Sequence, residues 1–279
     1  MRTAVLLLAA LASANCLAAQ DVLLRMRPPQ GQVTHYLMTV ETFVRGGPMA
    51  EMAPDPDTPF ARMTGWNTST VTAVAADGYT ERVVIDSVRL EFPAAPQLAQ
   101  MMGQMGDLMA GTVTESRMSS RGKVLGADFT PSPALRDMMG QMGAAPGSAG
   151  QMGIGGGAER LNLPSFWLLP EAPVRVGAVW RDSMTVALDS TGVGSGAMRF
   201  AAAFTLRAMQ GRVAVVGVDG TLGMSGAELP TSLAFTITGE VRLDLAAGRA
   251  ASIAMEMDGS TPTPMGEMPM TIRTTMTAR

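Results

Sequence analysis

Apolar and polar residues alternate along most of the chain with the two-residue period of a β-strand. Between Gly31 and Val44, Tyr36, Met38 and Val40 share one face, while polar residues occupy most of the other. The same alternation returns near the end of the chain, with Phe235, Ile237, Val241 and Leu243 set against Thr236, Thr238, Arg242 and Asp244. This pattern predicts antiparallel strands with one buried and one solvated face. A shorter strand is predicted at 21–27, before Pro28.

Glycine-containing turns divide these strands into hairpins. Gly78, Gly122, Gly211 and Gly248 each stand between two alternating stretches, as expected for hairpin turns. The Pro-, Gly- and Asp-rich stretch from Gly46 to Gly65 predicts a loop.

A short sequence motif that occurs twice indicates two related halves. Gly31 is followed seven residues later by Met-Thr-Val, Gly177 is followed in the same way, and prolines precede both glycines. Matching Gly78 with Gly211 and Gly122 with Gly248 extends the correspondence, giving pseudo-repeats of about 21–130 and 163–279. Duplication is one interpretation; the other is that any antiparallel meander places glycines at its turns.

Two short helices are predicted between the strands of the first half. Leu98-Ala-Gln-Met-Met-Gly-Gln-Met105 recurs as Leu135-Arg-Asp-Met-Met-Gly-Gln-Met142, with apolar residues at steps of three and four. The stretch at about 143–160 is rich in Gly and Met and predicts a flexible linker.

The fold class predicted from these elements is mainly β. We expect a long antiparallel meander, built from two pseudo-repeats, to form one curved sheet or half-barrel carrying two short Met-rich helices on its concave face. Residues 1–19 have the short positive start, apolar run and small residues of a secretory signal peptide, which leaves 20–279 as a single β-rich domain. The sequence therefore predicts export to the periplasm or beyond. A lipid anchor at Cys16 is disfavoured because Asn15 precedes it.

Methionine is unusually frequent, at 25 of 279 residues. Methionines fill irregular apolar space and suit a groove for changing apolar ligands. Thioethers also bind Cu(I), although supporting His or Cys ligands are almost lacking. A third interpretation is that these methionines only dock the helices on the sheet. The candidate ligand-binding residues are Leu98, Met101, Met102, Met105, Leu135, Met138, Met139, Met142 and Trp167.

The residues needed for catalysis or for a metal site are scarce. His35 is the only histidine, so a Ser-His-Asp hydrolase would depend on it, and no Gly-x-Ser-x-Gly is present. A lone strand histidine is more often a surface or cross-strand partner. An active site made of two carboxylates that the fold brings together, such as Asp86 with Asp182, is left open by the sequence. We predict no enzyme activity, no metal and no cofactor. With no basic run, we also expect no nucleic-acid partner.

The phrase Pro173-Val-x-Val-Gly-x-x-Trp180, together with the signal peptide and the early strand, resembles an uncharacterised family of exported bacterial proteins. That family carries no catalytic residues to transfer. At the level of fold alone, the meander with helices resembles the half-barrel of outer-membrane lipoprotein carriers, in which an apolar groove binds acyl chains.

The leading hypothesis is a non-enzymatic exported carrier or binding protein for an apolar ligand such as a lipid, held between the curved sheet and the Met-rich helices. One alternative is a structural or protein-interaction module of the cell envelope, with an envelope protein as partner. A Met-based Cu(I)-binding protein is the other alternative.

Overall fold

Eleven antiparallel strands and two helices make up the described part of the chain. The computed structural model describes residues 21–47, 55–141, 168–187, 196–226, 233–263 and 266–279. The strands are β1 (Val33–Val44), β2 (Ala61–Val74), β3 (Gly78–Glu91), β4 (Val113–Ser119), β5 (Val124–Thr130), β6 (Val179–Ala187), β7 (Gly196–Gln210), β8 (Val213–Gly226), β9 (Leu233–Asp244), β10 (Arg249–Thr263) and β11 (Gly266–Ala278). The helices are α1 (Pro96–Met109) and α2 (Pro133–Gln141).

All eleven strands belong to one sheet, in the order β5-β4-β3-β2-β1-β11-β10-β9-β8-β7-β6. Each half of the chain is a meander, and β1 joins the two by pairing with β11. The outermost strands, β5 and β6, are not paired with each other. This open, curved antiparallel sheet confirms the predicted fold class.

Over β9 the inner face of the sheet is apolar and the outer face is polar. On β9, Phe235, Ile237, Val241 and Leu243 are all buried, as the alternation predicts, whereas Thr236 and Thr238 are exposed. Curvature turns the inner face toward itself, so that residues from both halves share one core cluster. The outer face carries cross-strand ion pairs such as Arg62–Glu41, at 2.8 Å.

One end of the sheet, here called the closed end, holds the turns 75–77, 120–123, 211–212 and 245–248. The segment before β1 crosses this end: Leu24 is fully buried, and Met26 donates its N–H to the Ser120 carbonyl at 2.8 Å. The predicted strand at 21–27 is wrong, because this segment makes only a single bridge, between Val22 and Val174. Its Leu24 and Met26 side chains instead pack into the core cluster.

The prediction of a loop from Gly46 to Gly65 is wrong at its C-terminal end, because β2 already begins at Ala61. Ala61 pairs with Thr42 and with no residue of β3, so this part of β2 is held by the strand before it. The alternation of Ala61-Arg62-Met63-Thr64 continues the strand pattern into the predicted loop.

The same turn opens both halves. In Pro29–Gln32 and in Arg175–Ala178, the last N–H donates to the first carbonyl, at 3.2 and 2.9 Å. The third residue of each turn is a glycine with positive φ, +79° for Gly31 and +87° for Gly177. These are the features of a type II turn, which requires positive φ at that position.

The contacts after the two turns also correspond. The N–H of Gly31 donates to the Val71 carbonyl at 2.9 Å, and the N–H of Gly177 donates to the Leu206 carbonyl at 2.8 Å. A β-bulge follows both Val71 and Leu206. The two halves therefore begin with the same local arrangement, with Val71 and Leu206 at corresponding positions.

Gly78 and Gly211 lie at corresponding hairpins, β2–β3 and β7–β8, but at different positions within them. Gly211 lies in a turn with φ +61°, whereas Gly78 is the first residue of β3 and its φ is not positive. A Cβ on Gly78 would lie 2.0 Å from the Met118 carbonyl oxygen, so close backbone approach, rather than turn geometry, calls for glycine there.

The helices lie on the β3 side of the sheet. α1 packs mainly against β3 and also contacts α2. A Cβ on Gly106 would lie 2.3 Å from the Val88 carbonyl oxygen, so α1 approaches the β3 backbone closely. Ser132 caps α2 by accepting from the Leu135 N–H at 3.1 Å. Neither helix, nor any other in the described residues, is long and apolar enough to cross a membrane.

Candidate functional site

The inner face is closely packed over β7 to β9 and more open at several positions near β1. Over β7 to β9 it is filled by residues such as Phe204, Val218 and Ile237, each at most 2% exposed. Over the middle of the sheet several inner-face side chains are only half-buried, although Ile253, Met255 and Thr274 there are buried. We call this region the trough, defined by Met38, Val40, Met63, Met257, Met270 and Ile272.

Strand register shows that the trough residues share one face. Met38 pairs with Met276, which pairs with the buried Ile253. Val40 is opposite Met63, and Ile272 is opposite Met257. Residues directly opposite in an antiparallel pair project to the same side. The trough is thus a thioether- and aliphatic-lined surface on the concave side.

A group of polar side chains adjoins the trough toward the closed end. We call it the polar cluster: Tyr36, Ser69, Tyr79, Glu81, Ser116 and Arg249. The Ser69 hydroxyl donates to Glu81 Oε2 at 3.1 Å. Ser116 of β4 is directly opposite Glu81 of β3. Tyr79 lies two residues before Glu81, on the same face. Tyr36 and Tyr79 are the only tyrosines of the chain.

Glu81 lies on the inner face of β3, directly opposite Val71. Burial raises the pKa of its carboxyl above the usual value, and the Ser69 hydrogen bond offsets part of this effect. This geometry differs from that of the ion-paired carboxylates on the outer face.

The two tyrosines share this desolvated environment. Burial, and next the nearby Glu81 carboxylate, raise the pKa of Tyr36 to about 12, while Arg249 acts in the opposite direction. The pKa of Tyr79 is also raised well above its usual value, by burial first and then by Glu81 and Tyr36. Tyr36 therefore lies within electrostatic range of Glu81 and of Arg249, and Tyr79 lies within range of Glu81 and Tyr36.

Three buried polar atoms have no hydrogen-bond partner among the described residues: Gln32 Oε1, Ser116 Oγ and Arg249 Nη1. Buried polar atoms are paired in most proteins, so unpaired ones call for an explanation. Arg249 opens β10, next to Gly248, where a Cβ would lie 2.3 Å from the Arg27 carbonyl carbon. This close approach fixes Arg249 beside the segment that leads into β1.

The candidate residues predicted from the sequence fall into three groups. Leu98 of α1 is half-buried, as is Met138 of α2, and Leu135 of α2 is 2% exposed. Met101, Met102, Met105 and Met139 lie within the helices, but their side chains are outside the described residues, as are Met142 and Trp167 entirely. Whether these residues contact a ligand stays a prediction.

His35 is a cross-strand partner on the outer face. Its Nδ1 lies 3.0 Å from Thr68 Oγ1, and the Thr68 hydroxyl donates to Asp86 Oδ2 at 2.7 Å. Asp182 instead lies 3.5 Å from Arg121 in the turn after β4. Asp86 and Asp182 thus have separate partners. Among the described residues, no three His, Cys, Asp or Glu side chains form a group that could hold a metal ion.

The trough and the polar cluster were not among the residues predicted from the sequence. The alternation does place Tyr36, Met38 and Val40 on one face, and Met255-x-Met257 and Met268-x-Met270 repeat that signal. A face can be read from such a period, but which other strands lie opposite it depends on the β1–β11 pairing. The proximity of Tyr36 to Glu81 and to Arg249 depends on long-range strand pairing in the same way.

Comparison with known proteins adds no relative. No protein-family model matches the chain, and no curated protein matches it significantly. The resemblance to an uncharacterised exported family therefore stays a prediction.

Proposed function

We propose that this protein is an exported, non-enzymatic carrier or binding protein for an apolar ligand such as a lipid, and that the trough is its binding surface. The observation that carries the proposal is the contrast within one inner face, closely packed over β7–β9 and half-buried over the trough. Ligand sites are concave and lined mainly by apolar side chains. Methionines adapt to ligands of differing shape.

Gly65 offers a direct test, because it lies on the inner face opposite Met38. A Cβ there would have only the Met38 methyl carbon nearby, at 3.9 Å, which is ordinary contact. Gly65→Leu should therefore extend a side chain into the trough. Gly65→Ala is the matched control, and Thr64→Leu places the same bulk on the outer face.

The measurement is binding of the fluorescent apolar probe N-phenyl-1-naphthylamine to the chain without its signal peptide. We expect Gly65→Leu to weaken binding about tenfold or more, because each lost apolar contact in a pocket lowers affinity. Gly65→Ala and Thr64→Leu should bind like the wild type. Equal binding by all four proteins, with unchanged circular dichroism, would contradict the trough as the site.

Native mass spectrometry of protein purified from the envelope of expressing cells identifies the natural ligand. Adducts of lipid mass that extract into organic solvent support the proposal, whereas copper adducts favour thioether binding of Cu(I).

A second function is favoured by the two edges of the sheet, which are unpaired within the described residues. Leu125 on β5 is 52% exposed and Val179 on β6 is 54% exposed, and both strands end the sheet. Edge strands can receive a strand from a partner protein. An interaction module would be favoured if native spectra show the protein without adducts and if the protein captures one envelope protein. The Val179→Lys variant should no longer capture that protein.

A further inference from the structure

We propose that Glu81 and Ser116 bind the ammonium head group of a single-chain amphiphile whose alkyl chain lies in the trough. The inference rests on the proposed function of the trough and names the class of ligand, a long-chain primary amine. An ammonium group supplies the positive charge that the Glu81 carboxylate lacks, and it supplies an N–H donor for the Ser116 hydroxyl oxygen.

A half-buried apolar row leads from the trough to Glu81. Val88 lies in the same cross-strand row as Met38, with a single glycine of β2 between them. From Val88 the inner face of β3 continues through Ile85 and Val83, both half-buried, to Glu81. The distance along β3 is about 20 Å, at about 3.3 Å per residue. An extended alkyl chain of common lipid length covers this distance, so its head group would reach Glu81.

The two groups at the end of this row are short of partners. Glu81 receives one hydrogen bond, from Ser69 at 3.1 Å, although a carboxylate can accept about four. Within the part of the chain that the structure describes, no basic side chain forms an ion pair with Glu81. Ser116 is 0% exposed, and its Oγ has no hydrogen-bond partner there either. Buried charges in proteins are normally paired, which points to a cation supplied by a ligand.

Glu81 and Ser116 are placed to share one donor. Ser116 of β4 is directly opposite Glu81 of β3, so their side chains project to the same side with Cβ atoms about 5 Å apart. At Glu81, β3 is paired on both sides, with β2 and with β4, which covers its backbone. The residue is nevertheless half-buried rather than buried, so its remaining exposure belongs mainly to the side chain on the inner face.

The second half of the sheet supports a role in binding. Val216, opposite Leu206, occupies the place that corresponds to Glu81, opposite Val71, and it is 2% exposed. Strand pairing therefore requires no carboxylate at this position. A desolvated carboxyl that the fold does not need is a candidate for a functional group.

These groups define the chemistry of the head group. A carboxylate head would be repelled by Glu81. A quaternary ammonium carries the required charge but has no N–H to donate. A primary ammonium carries the charge and has three donors, enough for Glu81 and Ser116 together.

Three ligands with one chain length separate these cases: tetradecylamine, tetradecyltrimethylammonium and tetradecanoic acid. Each is used below its aggregation concentration to displace N-phenyl-1-naphthylamine at neutral pH. We expect the primary amine to bind about tenfold more tightly than either of the other two, because it alone forms charge-assisted hydrogen bonds.

Two variants test the named residues. Glu81→Gln should weaken tetradecylamine about tenfold and strengthen tetradecanoic acid. Ser116→Ala should weaken tetradecylamine about three- to fivefold and leave the trimethylammonium ligand unchanged, because only a hydrogen bond is lost. Glu240→Gln is the matched control, since Glu240 pairs with Arg242 on the outer face at 3.6 Å and should leave all three affinities unchanged. Circular dichroism checks that each variant is folded.

The outcomes separate this inference from the function on which it rests. If the three ligands bind within about twofold of one another and neither variant alters the order, while Gly65→Leu still blocks them, the head-group assignment is wrong and the trough stands. If neither the probe nor any ligand binds, the proposed function fails, and this inference fails with it. If Glu81→Gln weakens the amine but Gly65→Leu does not, the head-group site stands and the trough is wrong as the site of the alkyl chain.

Discussion

The two halves of this sheet share a backbone plan but differ sharply in what they bury. In the first half, Thr34 and Ser69 are opposite each other; at the equivalent place in the second half are Trp180 and Phe204, whose rings stack with centroids 5.7 Å apart. Glu81, opposite Val71, corresponds to Val216, opposite Leu206.

The replacement of polar residues in the first half by apolar residues in the second continues on the neighbouring strands. Ser116, opposite Glu81, corresponds to Val241, opposite Val216. Tyr79, two residues before Glu81, corresponds to Ala214, which is fully buried. The second half is therefore organised as a core, while the first half keeps hydrogen-bonding groups at the same depth. The difference shows that polar residues at these positions are not required by the strand pairing, since the second half has apolar residues at the corresponding positions.

Exchanging the two central residues should give the largest effect. Val216 is 2% exposed and faces Val241, so Val216→Glu would bury a carboxylate without any hydroxyl partner. We expect a loss of about 4 kcal/mol or more in the free energy of unfolding, enough to unfold many proteins. Urea unfolding followed by circular dichroism measures this loss.

The reciprocal change, Glu81→Val, should be tolerated or should stabilise the protein, because replacing a buried polar residue by an apolar one of suitable size is often neutral or better. Comparable destabilisation by both substitutions would mean that Glu81 is structural and would remove the contrast between the halves.

Gly31 and Gly177 should respond alike, because both occupy the third position of a type II turn. A Cβ would meet nothing within 4 Å at either residue, so substitution introduces backbone strain only. Gly31→Ala and Gly177→Ala should each cost about 1–2 kcal/mol of unfolding free energy. Unequal costs, measured by urea unfolding, would show that the turns are not equivalent. Gly65→Ala, at a glycine without positive φ, is the control.

Much of this plan can be predicted from the sequence, and the parts that cannot have a common cause. Alternation around Phe235 and Ile237, and the glycine at each half's opening turn, are local signals that fix strands and faces. Predicting the trough, by contrast, requires knowing that Met38 faces Met276, across a sequence separation of most of the chain. The helix periodicity gives α1 and α2 but not whether their side chains meet a ligand, which stays a prediction.

Glu81→Gln should have a smaller effect than the glycine substitutions, and one that depends on pH. Burial raises the pKa of Glu81, so the folded state favours the protonated carboxyl. The associated stability is fully present below the unfolded value of 4.5 and is lost as pH rises through the folded pKa. At neutral pH the variant should therefore be more stable than the wild type, by on the order of 0.5–1 kcal/mol.

Thermal unfolding of both proteins at neutral and acidic pH tests this expectation, with Glu256→Gln, from an outer-face ion pair of 2.6 Å with Arg273, as the control. An advantage for Glu81→Gln that persists unchanged below pH 4.5 would mean that packing, rather than charge, is responsible.

Tyrosine ionisation reports on the first half alone and needs no change in the protein, since both tyrosines of the chain belong to the polar cluster. A solvated tyrosine titrates near pH 10, whereas Tyr36 should titrate near 12 and Tyr79 should also titrate late. The near-ultraviolet absorbance of tyrosinate should therefore stay low at pH 10 in the folded protein and rise there in urea. Because the folded state favours the neutral phenols, stability falls as pH rises from 10 toward 12, and Tyr36→Phe should lessen that fall. If half of the tyrosine were ionised at pH 10 in the folded protein, Tyr36 and Tyr79 would be in solvent and the polar cluster would not be desolvated.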